Sequence, residues 1–391
     1  MSQGWGARVA ETHPPRAPGV PLATAYIRPY DYVHDRYSAY YRAGLRLWMA
    51  TLGGRYDEIS MGRQPEMLRA IRRVRDAYSL RPFFARLPWL LPAIDRAAQW
   101  VEGPVQLPAQ VFIEAASCYV VKTARGRVVR ICIDAEDEGG SIDARMLAWS
   151  DVYLKTNYWP TLAYSPKVQP FVNADPLVIP QLDTFRAYRS LPKEHDLSMV
   201  VRVWGGKDEV EGVEHNLRLI EAVSRARCSK FLYAYLVAGD IPAATRRLER
   251  QGIPCGTDPL PPRKLWRVSA ASRLNVIRLG MHYCIPWRVT GALAIGSAIV
   301  LDRAPLTRWP EPLADGKNYV ALGTVTGVDQ PLATDAQYAA IPGAIEDWLA
   351  DRALAEGIGR NNGAYYDRFV DPLSVGEQIV AAAERYDHSR A

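Results

Sequence analysis

The run Ser272-Arg-Leu-Asn-Val-Ile-Arg-Leu-Gly280-Met-His-Tyr-Cys-Ile-Pro-Trp-Arg288-Val-Thr-Gly291-Ala-Leu-Ala-Ile-Gly296-Ser-Ala-Ile-Val-Leu-Asp302 changes period twice within a short span. Residues 274–279 form a short apolar strand stopping at Gly280. Residues 287–295 have helical spacing and close at Gly296, and residues 298–301 are a second buried strand. Strand, loop, helix and strand in that order make the repeating unit of a parallel sheet. The loop entered through Gly280 leaves the C-terminal end of a strand, where open α/β sheets bind ligands. The helix start offers unpaired N–H groups and a positive dipole end there, and Arg288 in its first turn adds a bidentate donor suited to phosphate.

The alternation continues upstream. Residues 199–203 read as a strand ending at Gly205-Gly206, and residues 211–226 as a helix with Val213, Leu217, Ile220 and Val223 on one face. A strand over 231–237, a helix over 242–251 and a short helix over 264–271 follow, so residues from 196 onward predict a doubly wound parallel sheet. The N-terminal half is less regular. It reads as a helix from Tyr37, a proline-broken helical region over 66–101, strands over 110–116, 128–133 and 151–155 with a turn at 122–127, and a proline-rich connection over 160–192. A chain of 391 residues suits two α/β domains of similar size. The expected division is a loose arm over 1–22, a first domain over 23–190, a second over 191–350 and a closing helical segment over 351–391.

Composition narrows the function classes. Apolar residues make up 48% and charged residues 23%, the balance of a globular chain. A net charge of +6 makes no case for nucleic acid and fits anionic ligands such as nucleotide diphosphates, or an anionic membrane surface. Cys118, Cys132, Cys228, Cys255 and Cys284 are dispersed, without CxxC, and read as reduced thiols, most of them buried. Residues 1–22 lack the apolar core of a leader, and no run of eighteen apolar residues is present, so a cytoplasmic location without a membrane span is expected. The chain has no phosphate loop ending in Gly-Lys, no Gly-x-Ser-x-Gly elbow and no HExxH.

The run Ser-x-Leu-x-x-Ile…Gly…Arg-x-x-Gly-Ala-Leu-Ala-x-Gly-x-x-Ile-Val, here Ser272 to Val300, resembles the donor-nucleotide half of GT-B glycosyltransferases. The likeness is greatest to the exostosin-like and protein O-glucosyltransferase-like branches and their bacterial relatives. Residues 309–320 resemble the segment that follows in those families, and residues 361–376 their closing helix, which returns to the first domain. The resemblance covers about residues 196–380. It implies two Rossmann-like domains facing a central cleft, the first presenting the acceptor and the second binding a nucleotide sugar. Arg288 would bind the donor diphosphate, Gly280 would let the backbone approach it, and Arg202 beside Gly205 would line the same cleft. His282 falls in that loop and could bond phosphate or sugar, or serve structure alone. Many relatives carry Glu three residues after the arginine, holding the nucleotide ribose, where this chain has Gly291. The implied function is metal-independent transfer from a nucleotide sugar to a glycan, lipid-linked or other hydroxyl acceptor, as in polysaccharide biosynthesis, with no cofactor. A catalytically silent nucleotide- or glycan-binding protein, for which Gly291 is the suggestive feature, and a nucleotide-sugar epimerase are the alternatives.

Two further signals lie in the first half. Asp134-Ala-Glu136-Asp137 follows a strand directly, which places carboxylates toward a cleft. Asp134 and Asp137 are candidates for the base that takes a proton from the acceptor hydroxyl. A metal-binding Asp-x-Asp motif and a solvated acidic turn are the competing readings. Arg69, Arg72, Arg73, Arg75, Arg81 and Arg86 alternate with Phe83, Phe84 and Trp89 among others. Residues 66–92 therefore read either as a helix pair with an arginine-rich solvent face or as a peripheral contact with an anionic lipid surface on the inner face of the membrane. His34, in a tyrosine-rich segment, could line an acceptor groove.

Overall fold

The computed structural model describes residues 23–28, 32–60, 89–90, 93, 116–204, 210–237, 239–280, 283–323 and 333–390. The arm at 1–22, most of the basic region at 66–92 and the expected strand residues 110–115 lie outside the described residues, as do Gly205 and His282.

The first half is built on a six-stranded sheet. Its elements are β1 (Ala23–Arg28), α1 (Tyr32–Thr51), β2 (Arg55–Ser60), β3 (Ala116–Lys122), β4 (Val128–Asp134), α2 (Ala144–Trp149), β5 (Val152–Lys155) and β6 (Val168–Pro170). The spatial order is β2-β1-β3-β4-β5-β6. β3 runs antiparallel to both neighbours and the other pairs are parallel. The hairpin β3–β4 turns through Thr123, whose N–H donates to the Arg127 carbonyl at 2.8 Å, with Gly126 at a φ of 85°. The strand read over 110–116 therefore occupies 116–122 within the described residues. The supposed connection over 160–192 holds β6, a 3₁₀ turn (Pro176–Gln181) and α3 (Leu182–Tyr188).

The second half follows the expected pattern closely. Its elements are β7 (His195–Val203), α4 (Val210–Ser224), β8 (Lys230–Leu236), α5 (Ile241–Glu249), β9 (Cys255–Gly256), α6 (Pro262–Ala270), β10 (Ser272–Ile277), α7 (Trp287–Ala294), β11 (Ala298–Leu301), β12 (Tyr319–Ala321), α8 (Asp335–Ala350) and α9 (Arg352–Tyr365). The order β9-β8-β7-β10-β11-β12, parallel throughout, is the doubly wound Rossmann arrangement, and it reverses direction between β7 and β10.

The chain then crosses back. A π turn (Tyr366–Val370) leads into α10 (Pro372–Ser389), which lies on α1 of the first half. Gly44 and Gly376 make that contact possible: a Cβ on Gly376 would stand 2.2 Å from the Gly44 carbonyl oxygen. The buried Tyr40 hydroxyl meets that of Tyr366 at 2.9 Å and donates to the Val370 carbonyl at 2.6 Å. The expected fold class, two α/β halves with a C-terminal helix returning to the first, is the one observed. One apolar core runs through both halves, from Tyr41 and Ile131 through Phe185 and Trp266 to Val289 and Trp309. No described helix is long and apolar enough to cross a membrane.

Candidate active site between the two halves

The strand order reverses between β7 and β10, and in doubly wound sheets ligands bind outside the C-terminal strand ends at such a switch point. Arg288, the second residue of α7, turns toward these two strands. It donates through Nη1 to the Val200 carbonyl on β7, and its Nη2 lies 3.5 Å from Asn275 Oδ1 on β10. The side chain is part-exposed along its length, but Nε is closed off from solvent and has no hydrogen-bond partner. Burial lowers the guanidinium pKa to about 10. Among the described residues no carboxylate forms an ion pair with Arg288. Asn275 is fully buried beside it. Its amide oxygen accepts weakly from Ser198 at 3.4 Å, and its Nδ2 has no partner. Buried donors without acceptors are costly, about 1–3 kcal/mol each and more when charged.

The first half positions this helix. Asn173, buried just beyond β6, donates to the Ile285 carbonyl at 2.9 Å, accepts from Trp287 Nε1 at 2.8 Å and accepts through its backbone carbonyl from Thr290 at 2.6 Å. The start of α7 is thus fixed by a side chain from the opposite half. Asn173 sat in the supposed loop connection, and no sequence pattern pointed to it.

Gly280 has no room for a side chain. A Cβ there would lie 2.1 Å from Cys284 Sγ, and Gly280 N–H donates to the Cys284 carbonyl at 2.9 Å. The residue closes a tight loop. Tyr283 in that loop adopts a φ of 59°, a left-handed conformation that a non-glycine side chain rarely holds. Arg303 stacks over its ring at 4.6 Å and donates through Nε to Asp302 Oδ2 at 2.9 Å. Asp302, fully buried at the end of β11, also accepts from Leu279 N–H at 2.8 Å and lies 3.0 Å from His215 Nε2 on α4. His215 Nδ1 lies 2.7 Å from the Tyr338 hydroxyl. An Nε2-protonated imidazole satisfies both contacts. Burial works to raise the Asp302 carboxyl, and the His215, Arg303 and Leu279 donors outweigh it, holding the pKa at about 2. Burial keeps His215 below its ordinary value, against the pull of Asp302. This network holds Leu279 and Tyr283 from behind. Asp302 is the last residue of the strand–loop–helix–strand run. His215, Arg303 and Tyr338 carried no recognisable signal.

The acidic run divides into three roles. Asp134 is fully buried, and both its oxygens are engaged: Oδ1 by Glu136 N–H at 2.8 Å, Oδ2 by the Tyr153 hydroxyl at 2.6 Å and by Lys155 Nζ at 3.0 Å. Lys155 is itself fully buried, directly across from Asp134 in the β4–β5 register. This corrects the reading of Asp134 as a cleft-facing base: it is a buried tie between strand ends. Asp137 is exposed and reaches the opposite half, where its carboxylate accepts from the Cys284 thiol. Burial first and then that charge push the thiol up, against Arg278. Glu136 lies between them, half-buried. Burial, then the charges of Asp134 and Asp137, raise its carboxyl above the usual range. It was passed over in the sequence, and a carboxylate made more basic by its surroundings is a candidate proton acceptor. Arg202 is exposed near the end of β7 and lies over Trp204 at 5.6 Å. His34 falls within α1, and its side chain lies outside the described residues.

Gly291, where a ribose-binding Glu was anticipated, faces the core. A Cβ there would stand 2.2 Å from Cη2 of Trp266, which is 3% exposed. Gly291→Glu is therefore expected to destabilise the protein by about 2 kcal/mol or more, as overpacking does. Urea unfolding of both proteins checks this, and an unchanged midpoint would contradict the packing role.

No protein-family model matches the sequence, and no curated protein sequence matches it. Among solved structures the chain is similar to Anabaena HepE in complex with UDP-glucose, at 9% identity, covering 93% of this chain and 100% of that one, with a TM-score of 0.42. It is similar to the lipopolysaccharide outer core galactosyltransferase WaaB in its apo form, at 12% identity, 94% and 99% coverage and a TM-score of 0.41. It is also similar to the C-terminal domain of a glycosyl transferase group 1 family protein, LpcC, from Francisella tularensis, at 12% identity, 48% and 92% coverage and a TM-score of 0.33. The fold rests on the strand order of the chain itself.

Proposed function

We propose that this chain is a GT-B glycosyltransferase, nearest the exostosin-like and protein O-glucosyltransferase-like branch, that moves a sugar from a nucleotide-sugar donor to a hydroxyl acceptor. The observation that carries the reading is the pair of unsatisfied buried donors, Arg288 Nε and Asn275 Nδ2, at the switch point of a Rossmann sheet. The donor diphosphate would accept from both, close to the N-terminal end of α7. Arg202, with Gly205 and His282 outside the described residues, completes the donor side of the proposal. The acceptor, a glycan or a lipid-linked hydroxyl, would enter from the first half, beside Glu136 and Asp137.

In an inverting transfer the acceptor oxygen bonds to the anomeric carbon as the diphosphate leaves with the bonding electrons. A carboxylate takes the hydroxyl proton. Glu136, a more basic carboxylate than usual, suits that task better than Asp134, whose oxygens are occupied, and Asp137 is the exposed carboxylate next to it. The silent-protein alternative loses its motive, because Gly291 is explained by Trp266.

Incubation with a donor panel followed by product analysis tests the reading: glycoside formation is expected, and epimerised donor or binding without turnover would overturn it. The same assay in EDTA is expected to keep its rate, since Asp134 is tied to Lys155 and unavailable to a cation. Loss on chelation, restored by manganese or magnesium, would assign the acidic run to diphosphate binding through a metal.

A further inference from the structure

A cavity of about 600 Å³ opens at the N-terminal ends of β10 and β11, the opposite pole of the sheet from the switch point. Its wall carries five cations, Arg189, Lys193, Arg273, Arg352 and Arg360, and a single carboxylate, Glu356. The partners of these cations do not balance them. Arg189 pairs with Asp367 at 2.6 Å and Arg273 with Asp196 at 3.3 Å. Arg352 and Arg360 share Glu356, at 2.8 and 3.8 Å. Lys193 meets only the Ala270 carbonyl, at 2.6 Å, among the described residues. Three carboxylates thus face five cations around a hollow of ligand size. The rest of the wall is small, with Gly296, Gly359 and Ala355 among it, which leaves room beside the charged groups.

The cavity also lies where the chain passes between the halves. Arg189 and Lys193 stand on the segment between α3 and β7, the outward crossing. Arg360 stands on α9, which runs into the π turn and the return crossing. Arg189 already links the two, through Asp367 of the π turn and the Ala294 carbonyl at 2.8 Å.

We propose that this cavity is an anion site for a compact phosphorylated solute, a phosphomonoester or a diphosphate, which bridges the two crossings. It is separate from the proposed donor site and does not depend on the proposed transferase function. Multiply charged oxyanions match a convergent set of guanidinium groups through charge-assisted bonds.

Inorganic pyrophosphate is the probe, titrated calorimetrically into the Arg288→Ala protein so that binding at the switch point is weakened. Binding is expected to persist there, and to weaken as salt rises. Reversing the two exposed arginines, Arg352→Glu with Arg360→Glu, in the same background is expected to lower affinity at least tenfold, with the melting temperature showing a folded protein. Lys193→Gln, away from both helical arginines, is expected to lower it severalfold and serves if the double reversal fails to fold. No binding to the Arg288→Ala protein, or binding indifferent to these charges, would overturn the proposal. Nucleoside diphosphate binding at the switch point responds to Arg288 and not to the reversals, so the two sites fail independently.

Discussion

Glu136→Gln is expected to reduce turnover by about 10²–10⁴-fold, the scale of a lost general base, while leaving nucleoside diphosphate affinity nearly intact. The separation follows from the architecture. Glu136 belongs to the first half, and the donors aimed at the diphosphate belong to β10 and α7 of the second. Gln preserves size and the hydrogen-bonding shape, so the fold around Asn157, whose amide donates to the Glu136 carbonyl at 2.9 Å, is undisturbed. Asp137→Asn is expected to affect the docking of the 280–284 loop through Cys284, raising KM more than it lowers kcat. Steady-state kinetics and titrations of both variants decide the matter. A large loss confined to Asp137→Asn would transfer the base to the exposed carboxylate, and normal turnover in both would leave residues 136–137 without a role in proton transfer.

Lys155→Met is expected to cost about 3–5 kcal/mol of stability, because it leaves the Asp134 carboxylate buried without its cation. Lys155 and Asp134 are both completely buried, and their contact of 3.0 Å joins the ends of β4 and β5. Replacing both together, by Met and Leu, should recover most of the loss, since a buried pair of this kind contributes little net stability over apolar packing. Urea unfolding of the single and double variants forms the test. A single variant as stable as the parent would mean that Asp134 has access to water, and would reopen its assignment as a base.

The second half was legible because its elements advertise their periods. Residues 298–301 have no polar interruption, α7 begins after Pro286 and closes at Gly296, and the helix start places Arg288 at the strand ends without further information. The first half was not, because its decisive facts are matters of register. Whether Asp134 faces a cleft or the core depends on Lys155 standing directly opposite it, and nothing in the spacing of 134 and 155 says that β4 and β5 pair in that register. The same holds for β3, whose pairing with β4 is set by the turn at Gly126. Asn173, His215 and Tyr338 act through partners over 80 residues away, which only the folded chain brings together.

The central claim is that the buried donors beside β7 and β10 hold a diphosphate. Calorimetric titration of nucleoside diphosphates into the parent and into Arg288→Ala tests it most directly. Removing a charge-assisted bond to phosphate at a buried site weakens binding by about 2–3 kcal/mol, or roughly 30- to 150-fold. A decrease of that size is expected in a variant that folds as the parent does. Equal affinity in the two proteins would contradict it and remove Arg288 from the site.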